Sequence, residues 1–188
     1  MSTKDYIMKT QITKSPLALL LGGLLLSTSA LAASENTINF QGEVSDETCS
    51  VAVNGNAASP VVLMPTVSKK DLATSGATAG QTSFTVGLTG CTGSSTASTK
   101  VSTVFVGNNV SSSGNLLNTG TAKNVEVQLL DTKDAVINLT GGYTGSGDLT
   151  LGIDETEASA TYNAQYYATG AATAGTVTAS LQYAVTYQ

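Results

Sequence analysis

Carboxylates are the side chains of this 188-residue sequence with the most potential for chemistry. Asp154, Glu155 and Glu157 lie close together, and glycoside hydrolysis requires two carboxyl groups a few ångströms apart with separated pKa values. The sequence has no tryptophan to stack on a sugar, so a solvated acidic loop between two strands is the simpler interpretation. Asp131 and Asp134 lack the dense oxygen spacing of a calcium loop. The carboxylates therefore predict neither an enzyme nor a metal site.

The residue types that are missing exclude most other chemistry. Without histidine there is no imidazole base for a serine or cysteine nucleophile and no histidine-bearing zinc site. All eight cations are lysine, so arginine clamps on phosphate are excluded as well. The formal charge of -5 argues against a nucleic-acid partner, which selects basic surfaces. The sequence thus predicts a protein that is not an enzyme and binds no cofactor, no metal and no nucleic acid.

The N-terminus has the pattern of a secretory signal peptide. Lys9 and Lys14 precede an apolar stretch, residues 17–26, that is shorter than the roughly 20 residues of a membrane-spanning helix. Ala30-Leu31-Ala32 follows as a cleavage signature. We therefore predict that residues 1–32 form a signal peptide. The remaining 156 residues carry five lysines and 12 acidic residues, a formal charge of -7 that favours solubility.

Export also determines how the two cysteines are interpreted. Cys49 and Cys91 are the only pair, and an even count in an oxidising compartment most simply indicates one disulfide. A redox-active dithiol would instead require the short C-x-x-C spacing, which is absent.

Apolar residues alternate with polar residues in several runs of the exported chain, which predicts β-strands. Clusters rich in serine, glycine and threonine at 111–115, 141–148 and 169–172 predict the loops between them. Many short alternating segments of this kind indicate an all-β, two-sheet sandwich. Residues 69–79 lack alternation and are compatible with a short helix or a long crossover loop. The runs are Ile38 to Val44, Phe84 to Leu88, Val125 to Leu129 and Val177 to Tyr187.

The two ends of the exported chain carry the functional argument. The run from Asn36 to Val44 precedes Cys49, and the run from Val177 ends almost at the last residue, Gln188. A sandwich whose final strand ends the chain is a candidate for lacking a closing strand, which a free alternating arm of a neighbour would supply. An ordinary first strand explains the same N-terminal residues, so both interpretations stay open at this point.

Six short segments of the chain, taken in order, resemble a known family. They are Ile38 to Val44, Cys49 to Val51, Leu63 to Val67, Phe84 to Cys91, Tyr166 to Gly170 and Tyr183 to Gln188, with a penultimate tyrosine at 187. Their order and spacing resemble the type 1-like pilins that the chaperone-usher pathway of Gram-negative bacteria assembles. The resemblance covers essentially the whole chain.

The resemblance implies an immunoglobulin-like β-sandwich that lacks its final strand and is completed by a donor strand from another subunit. It divides the chain into the signal peptide, an N-terminal extension over 33–45 that donates the strand, and a pilin domain over 46–188. The implied donor residues are Ile38, Phe40, Gly42 and Val44. The implied residues of the acceptor groove and the chaperone contact are Val177, Ala179, Leu181, Tyr183, Val185, Tyr187 and Gln188.

The implied function is that of a structural subunit, most simply the major shaft subunit, of an adhesive fimbria. Its implied partners are other copies of itself, other fimbrial subunits, a periplasmic chaperone and an outer-membrane usher. Its implied location is the cell-surface fimbria, reached through the periplasm. Two alternatives stay open from the sequence: a minor or adaptor pilin, and a self-contained secreted β-sandwich that binds carbohydrate.

Overall fold

A computed structural model describes residues 49–188, which contain nine β-strands and no α-helix. The all-β prediction is confirmed. No part of this region forms a helix long and apolar enough to cross a membrane. The strands are β1 (Ser50–Val53), β2 (Thr78–Thr89), β3 (Thr99–Gly107), β4 (Leu116–Leu117), β5 (Val125–Leu130), β6 (Tyr143–Thr144), β7 (Leu149–Leu151), β8 (Ala158–Ala168) and β9 (Leu181–Tyr187).

The strands form two antiparallel sheets. The first has five strands in the order β1-β2-β8-β5-β4. In the second, β3 is the central strand: Val101 pairs with Leu149 of β7 on one side and with Tyr187 of β9 on the other. Val104 likewise pairs with Thr144 of β6 and with Ala184 of β9. Strand β9 therefore lies along one edge of β3, and β6 and β7 share the opposite edge.

The core lies between the inner faces of the two sheets. Tyr162 of β8, which is fully buried, stacks on Phe84 of β2 at a centroid distance of 5.7 Å. It also meets Phe105 of β3 edge to face at 5.0 Å. Aromatic side chains from both sheets thus join the layers into one sandwich.

The alternation in the sequence identified the inner face of β2 correctly. Phe84, Val86 and Leu88 of β2 are buried and lie two residues apart, as predicted. Residues 69–79, for which two interpretations were open, form no helix: 69–77 are turns that lead into β2, and the last two residues belong to that strand. Leu72 of this crossover is buried against Val125 and Ala168, so the loop covers a small second apolar cluster.

Two sequence predictions need correction in the second half of the chain. The predicted loop 141–148 contains a short strand, β6, because Tyr143 and Thr144 pair with the edge of β3. The predicted run from Val177 to Tyr187 enters the β3 ladder only at Leu181. Residues 176–178 hydrogen-bond instead to residues 119–122, which follow β4. The shared face of the run is nevertheless confirmed, since its six alternate residues all pack on the main core.

Candidate functional site: an open apolar groove

A groove of about 930 Å³ opens along the edge of the sandwich, between the segment 57–64 and the stretch from Val177 to Tyr183. Its floor comes from both sheets, and none of its lining residues carries a formal charge. Side chains of this kind bind an apolar ligand, and the lining holds no histidine, lysine or carboxylate that could activate its few hydroxyl groups. The lining residues are Val53, Ala57, Ser59, Pro60, Val61, Val62, Leu63, Met64, Phe84, Phe105, Leu116, Val127, Leu129, Ala164, Tyr166, Val177, Thr178, Ala179, Leu181, Gln182 and Tyr183.

The first wall of the groove is β9 together with the residues that precede it. From Leu181 onward the β3 ladder holds this wall in place. The residues that precede Leu181 are held by the segment after β4 instead. The backbone N–H of Thr119 donates to the carbonyl of Thr178 at 2.8 Å. A side chain at Gly120 would collide with the carbonyl of Thr176, so glycine permits this close approach of the two backbones. The first wall is thus held along its length by two partners, residues 119–122 before Leu181 and β3 from Leu181 onward.

The second wall, residues 57–64, was not identified as part of a site by the sequence analysis. Pro60 and Pro65 bracket four extended residues, and the backbone of residues 61–64 forms no hydrogen bond with the part of the chain from Cys49 onward. Val62 and Met64 pack against the core, while Val61 and Leu63 face away from it. The signal for this wall was present as a short continuous apolar run, Val61 to Met64, with a proline at each end.

Tyrosine hydroxyls fix both ends of the second wall. Tyr166 of β8 donates to the carbonyl of Pro65 at 3.1 Å. Across the groove, Tyr183 of β9 donates to the carbonyl of Ala57 at 3.5 Å. Burial raises the pKa of Tyr166 above its ordinary value, which favours the protonated form that donates this hydrogen bond. Gly80, with a φ of 67°, lets Val67 and the Tyr166 ring approach β2 closely.

The predicted acceptor residues fall into two groups. Val177, Ala179, Leu181 and Tyr183 line the groove. Val185 and Tyr187 lie further along β9 and pack against the main core. Gln188 follows the strand and is tied to β3, because its backbone N–H donates to the carbonyl of Lys100 and its side-chain amide donates to Ser102 Oγ at 2.9 Å. The chaperone contact expected at Tyr187 and Gln188 stays a prediction.

The predicted donor residues Ile38, Phe40, Gly42 and Val44 lie outside the described residues, as does the division of the chain at positions 32 and 45. These assignments stay predictions.

The disulfide predicted from the cysteine count is present. Cys49 and Cys91 are bonded, with their Cα atoms 4.2 Å apart. The bond lies beside the β1–β2 ladder, in which Ser50 pairs with Thr89. It closes a covalent loop that contains the whole second wall of the groove.

Three carboxylates have structural partners, and Asp154 and Glu157 lie exposed, as a solvated loop predicts. Glu155 accepts the backbone N–H of Gly152 at 2.9 Å within an exposed loop. The largely buried Glu126 accepts the amide of Asn115 at 2.9 Å, and Asp148 accepts the hydroxyl of Tyr162. Within residues 49–188 no group of three or more metal-ligating side chains comes together.

A further carboxylate, that of Asp131, stabilises a turn and lies near the phenol of Tyr143. Asp131 accepts the backbone N–H groups of Lys133 and Ala135 at 2.8 Å each. Burial is the main cause that raises the pKa of Tyr143, and the charges of Asp148 and Asp131 raise it further. These contacts stabilise loops and do not resemble a pair of catalytic acids.

Comparison with known proteins agrees with this geometry. The chain matches the family model described as Fimbrial protein over residues 38–188. It is 40% identical to the F17 fimbrial protein of Escherichia coli, over 86% of this chain and 92% of that protein. It is 39% identical to the major fimbrial subunit SMF-1 of Stenotrophomonas maltophilia (strain K279a), over 87% of this chain and 99% of that protein.

Solved structures show the same fold. The P pilus rod subunit PapA matches 74% of this chain and 99% of its own with a TM-score of 0.56 at 18% identity. A subunit of a chaperone-usher pilus matches 81% of this chain and 94% of its own with a TM-score of 0.56 at 20% identity. Together with the family match and the sequence relatives, these likenesses confirm the predicted family and fold class. The chain therefore belongs to the fimbrial protein family, and it is a non-enzymatic structural subunit of a surface fimbria.

Proposed function

We propose that the chain is the repeated shaft subunit of its fimbria and that it polymerises by donor-strand exchange. In this proposal the groove of one copy receives the extension of the next copy, with Ile38, Phe40, Gly42 and Val44 turned inward. The observation that carries the proposal is the uncharged groove whose second wall, at residues 61–64, forms no backbone hydrogen bond with residues 49–188.

The dimensions of the two partners support this pairing. Ile38 to Val44 is a run of seven residues, and so is the wall from Val177 to Tyr183. At about 3.4 Å per residue each extended run is roughly 20 Å long. A donor strand of this length covers the groove from end to end.

The energetics favour an occupied groove. Burying the side chains of Ile38 and Phe40 contributes about 1.5 to 3 kcal/mol each. The inserted backbone also supplies hydrogen-bond partners for residues 61–64, which lack them among the described residues. The bond between subunits then has the same physical basis as the core of the fold.

We further propose that a periplasmic chaperone occupies the groove before assembly and that an outer-membrane usher exchanges it for the donor strand. An exposed apolar groove is an aggregation hazard, so a temporary occupant is expected during export. Tyr187 and Gln188, at the fixed end of β9, are the proposed chaperone contacts. The relative named as a major fimbrial subunit, at 39% identity, supports a shaft role.

The test compares two variants of adjacent residues in the extension. Phe40→Glu places a charge on the inward face of the donor strand, and Asn39→Glu places the same charge on the outward face. We expect cells with the first variant to lack the heat- and detergent-resistant oligomer ladder while the subunit still copurifies with its chaperone. Cells with the second variant should show the ladder of the unchanged protein. Normal polymerisation of Phe40→Glu would refute the donor role.

A further inference from the structure

Three of the five lysines of the exported chain lie together at one end of the sandwich, which we call the lysine end. They are Lys69, Lys70 and Lys123. All three are exposed. Leu72 of the crossover is buried in one apolar cluster with Ala122, so the two lysine-bearing segments adjoin each other. Asp71 is the one exposed acidic residue among 68–72 and 121–126, so three lysines and one aspartate give this end a formal charge of +2.

The opposite end of the sandwich is acidic. It carries the loop between β7 and β8, whose exposed carboxylates are those of Asp154, Glu155 and Glu157. Lys100, which pairs with Thr150 of β7, lies at the same end and leaves it a formal charge of -2. From this loop β8 runs from Ala158 to Ala168, which is buried with Leu72 at the lysine end. The 11 residues of β8 span about 35 Å, so the charge is polarised along the strands.

The N-terminal extension joins the sandwich at the acidic end. Cys49, the first described residue, is bonded to Cys91. The backbone N–H of Cys91 donates to the carbonyl of Thr156, which lies within the acidic loop, at 3.1 Å. The chain that precedes Cys49 is therefore attached beside the acidic loop.

The length of this attachment holds the donating body close to the acceptor. Between Val44, the last proposed donor residue, and Cys49 the chain advances five residues, which span at most about 18 Å. Two of the residues between them, Asp46 and Glu47, add negative charge. A copy that donates its strand therefore presents its acidic end to the copy that receives the strand.

One end of the groove lies at the lysine end. Val177 of the first wall lines the groove and also packs on the apolar cluster around Leu72. Tyr183 and Ala57 meet at the other end of the groove. Antiparallel strands pair more stably than parallel ones, so a donor strand pairs best with the first wall when its last residue, Val44, lies beside Val177. The body of the donating copy then follows at the lysine end of the acceptor.

We propose that the lysine end of one copy binds the acidic end of the copy that donates its strand. The proposal rests on the proposed function, because donor-strand exchange brings these two ends together. Ion pairs between exposed side chains add little to the stability of a finished contact. Opposite charges do raise the rate at which two bodies meet in the correct orientation. The contact therefore favours head-to-tail encounter of copies that otherwise repel one another through their net negative charge.

The rate of assembly tests the lysine end. Lys70→Glu changes the formal charge of this end from +2 to zero, because two lysines and two acidic residues then remain there. Lys133→Glu, in the turn after β5, changes the charge of the whole chain by the same amount and is the matched control. Chaperone-bound subunits of each variant form detergent-resistant oligomers at about 0.01 M and at about 1 M salt, where the Debye length is about 30 Å and about 3 Å.

The two lysine variants should differ only where charges are weakly screened. We expect Lys70→Glu to assemble roughly tenfold more slowly than Lys133→Glu at the lower salt concentration. At the higher concentration the two rates should be equal. Equal rates at low salt would refute the contact. A difference that persists at high salt would refute it too, because it would show an effect that is not electrostatic.

The acidic end has a matched pair of variants of its own. Asp154→Asn/Glu157→Gln and Asp131→Asn/Asp134→Asn each remove two negative charges from loops. Asp154 and Asp134 have φ values of 58° and 60°, a conformation that asparagine tolerates. We expect the first double variant to assemble roughly threefold more slowly than the second at low salt. Equal rates would show that the lysine end binds something other than a second copy and would refute the proposal.

Failure of the proposed function has a different signature. If no strand is exchanged between copies, Phe40→Glu polymerises normally. If only the charged contact is absent, Phe40→Glu fails to polymerise, and Lys70→Glu and Lys133→Glu assemble at equal rates.

Discussion

Replacing both cysteines by serine tests how much the disulfide, whose loop contains the second wall of the groove, stabilises the domain. The bond between Cys49 and Cys91 spans 42 residues, and this loop contains β1, the wall 57–64, the crossover and β2. In the variant Cys49→Ser/Cys91→Ser the β1–β2 ladder remains possible, because Ser50 still pairs with Thr89. The main change is therefore in the unfolded chain, which gains the freedom that the cross-link removes.

The expected loss of stability is large relative to the stability of an ordinary domain. For a loop of this length the chain-entropy relation gives about 4 kcal/mol. Domains are stable by about 5 to 15 kcal/mol, so the variant loses a quarter to most of this free energy. For a domain of this size 1 kcal/mol shifts the melting temperature by roughly 2 to 4 °C, which predicts a decrease of about 8 to 16 °C.

Guanidinium unfolding of the isolated subunit, followed by circular dichroism, measures the difference. Reduction of the unchanged protein should reproduce the midpoint of the double variant, and the reductant should leave the variant unaffected. A double variant whose free energy of unfolding lies within about 1 kcal/mol of the oxidised protein would refute the entropic argument. It would show instead that the 42-residue loop is already restricted in the unfolded state.

Two further predictions concern buried polar groups. Thr103 is fully buried, and its hydroxyl has no hydrogen-bond partner among residues 49–188. Thr103→Val should therefore raise the free energy of unfolding by about 1 kcal/mol, measured by the same guanidinium unfolding. A decrease would show that the hydroxyl has a partner. Tyr143 has a raised pKa, so its contribution to stability is complete below the unfolded value of about 10 and is lost as the pH rises through the folded value. Unfolding measured from neutral to alkaline pH should therefore show a smaller alkaline loss for Tyr143→Phe than for the unchanged protein, and identical profiles would contradict the assignment.

The sequence predicted the strands whose inner faces are strongly apolar. Val125, Val127 and Leu129 of β5 are all buried, and their alternation with Glu126 and Gln128 revealed the strand even though these two polar residues are buried as well. Periodicity was a reliable guide here since the polar residues between them occupy the other face. The disulfide also followed from the sequence, because export left only one possible pair.

The same method missed β3 and β8, for two different reasons. In β3, Val104 and Val106 occupy the outer face and Thr103 the inner one, so apolar residues appear on both sides and the alternation is lost. In β8 the core positions include Ala160, Ala164 and Ala168, whose small side chains give a weak hydrophobic signal. Both strands are central in their sheets, so their burial comes from long-range pairing that no local pattern contains.

Only one wall of the groove was predictable from periodicity. Val177 to Tyr183 belongs to a long alternating run, whereas residues 57–64 are too short a run to rank as a strand and form no ladder within the described region. What makes them a wall is a set of contacts from distant residues, such as the hydroxyl of Tyr166 on the carbonyl of Pro65. The two partners of that contact are 101 residues apart in sequence.

These distant contacts hold the two walls of the groove apart within residues 49–188. One wall is supported by β3 and by the segment after β4, and the other by the disulfide loop and by Tyr166. Most of these supporting contacts lie outside the groove, so the proposed insertion of a donor strand does not have to break them. The contact from Tyr183 to Ala57 is the exception, because it crosses the groove. At 3.5 Å and between uncharged groups it is weak, and an incoming backbone can replace it with its own hydrogen bonds. In the proposed donor-strand exchange, the free energy of covering the apolar floor is then available for joining subunits rather than for reshaping the acceptor.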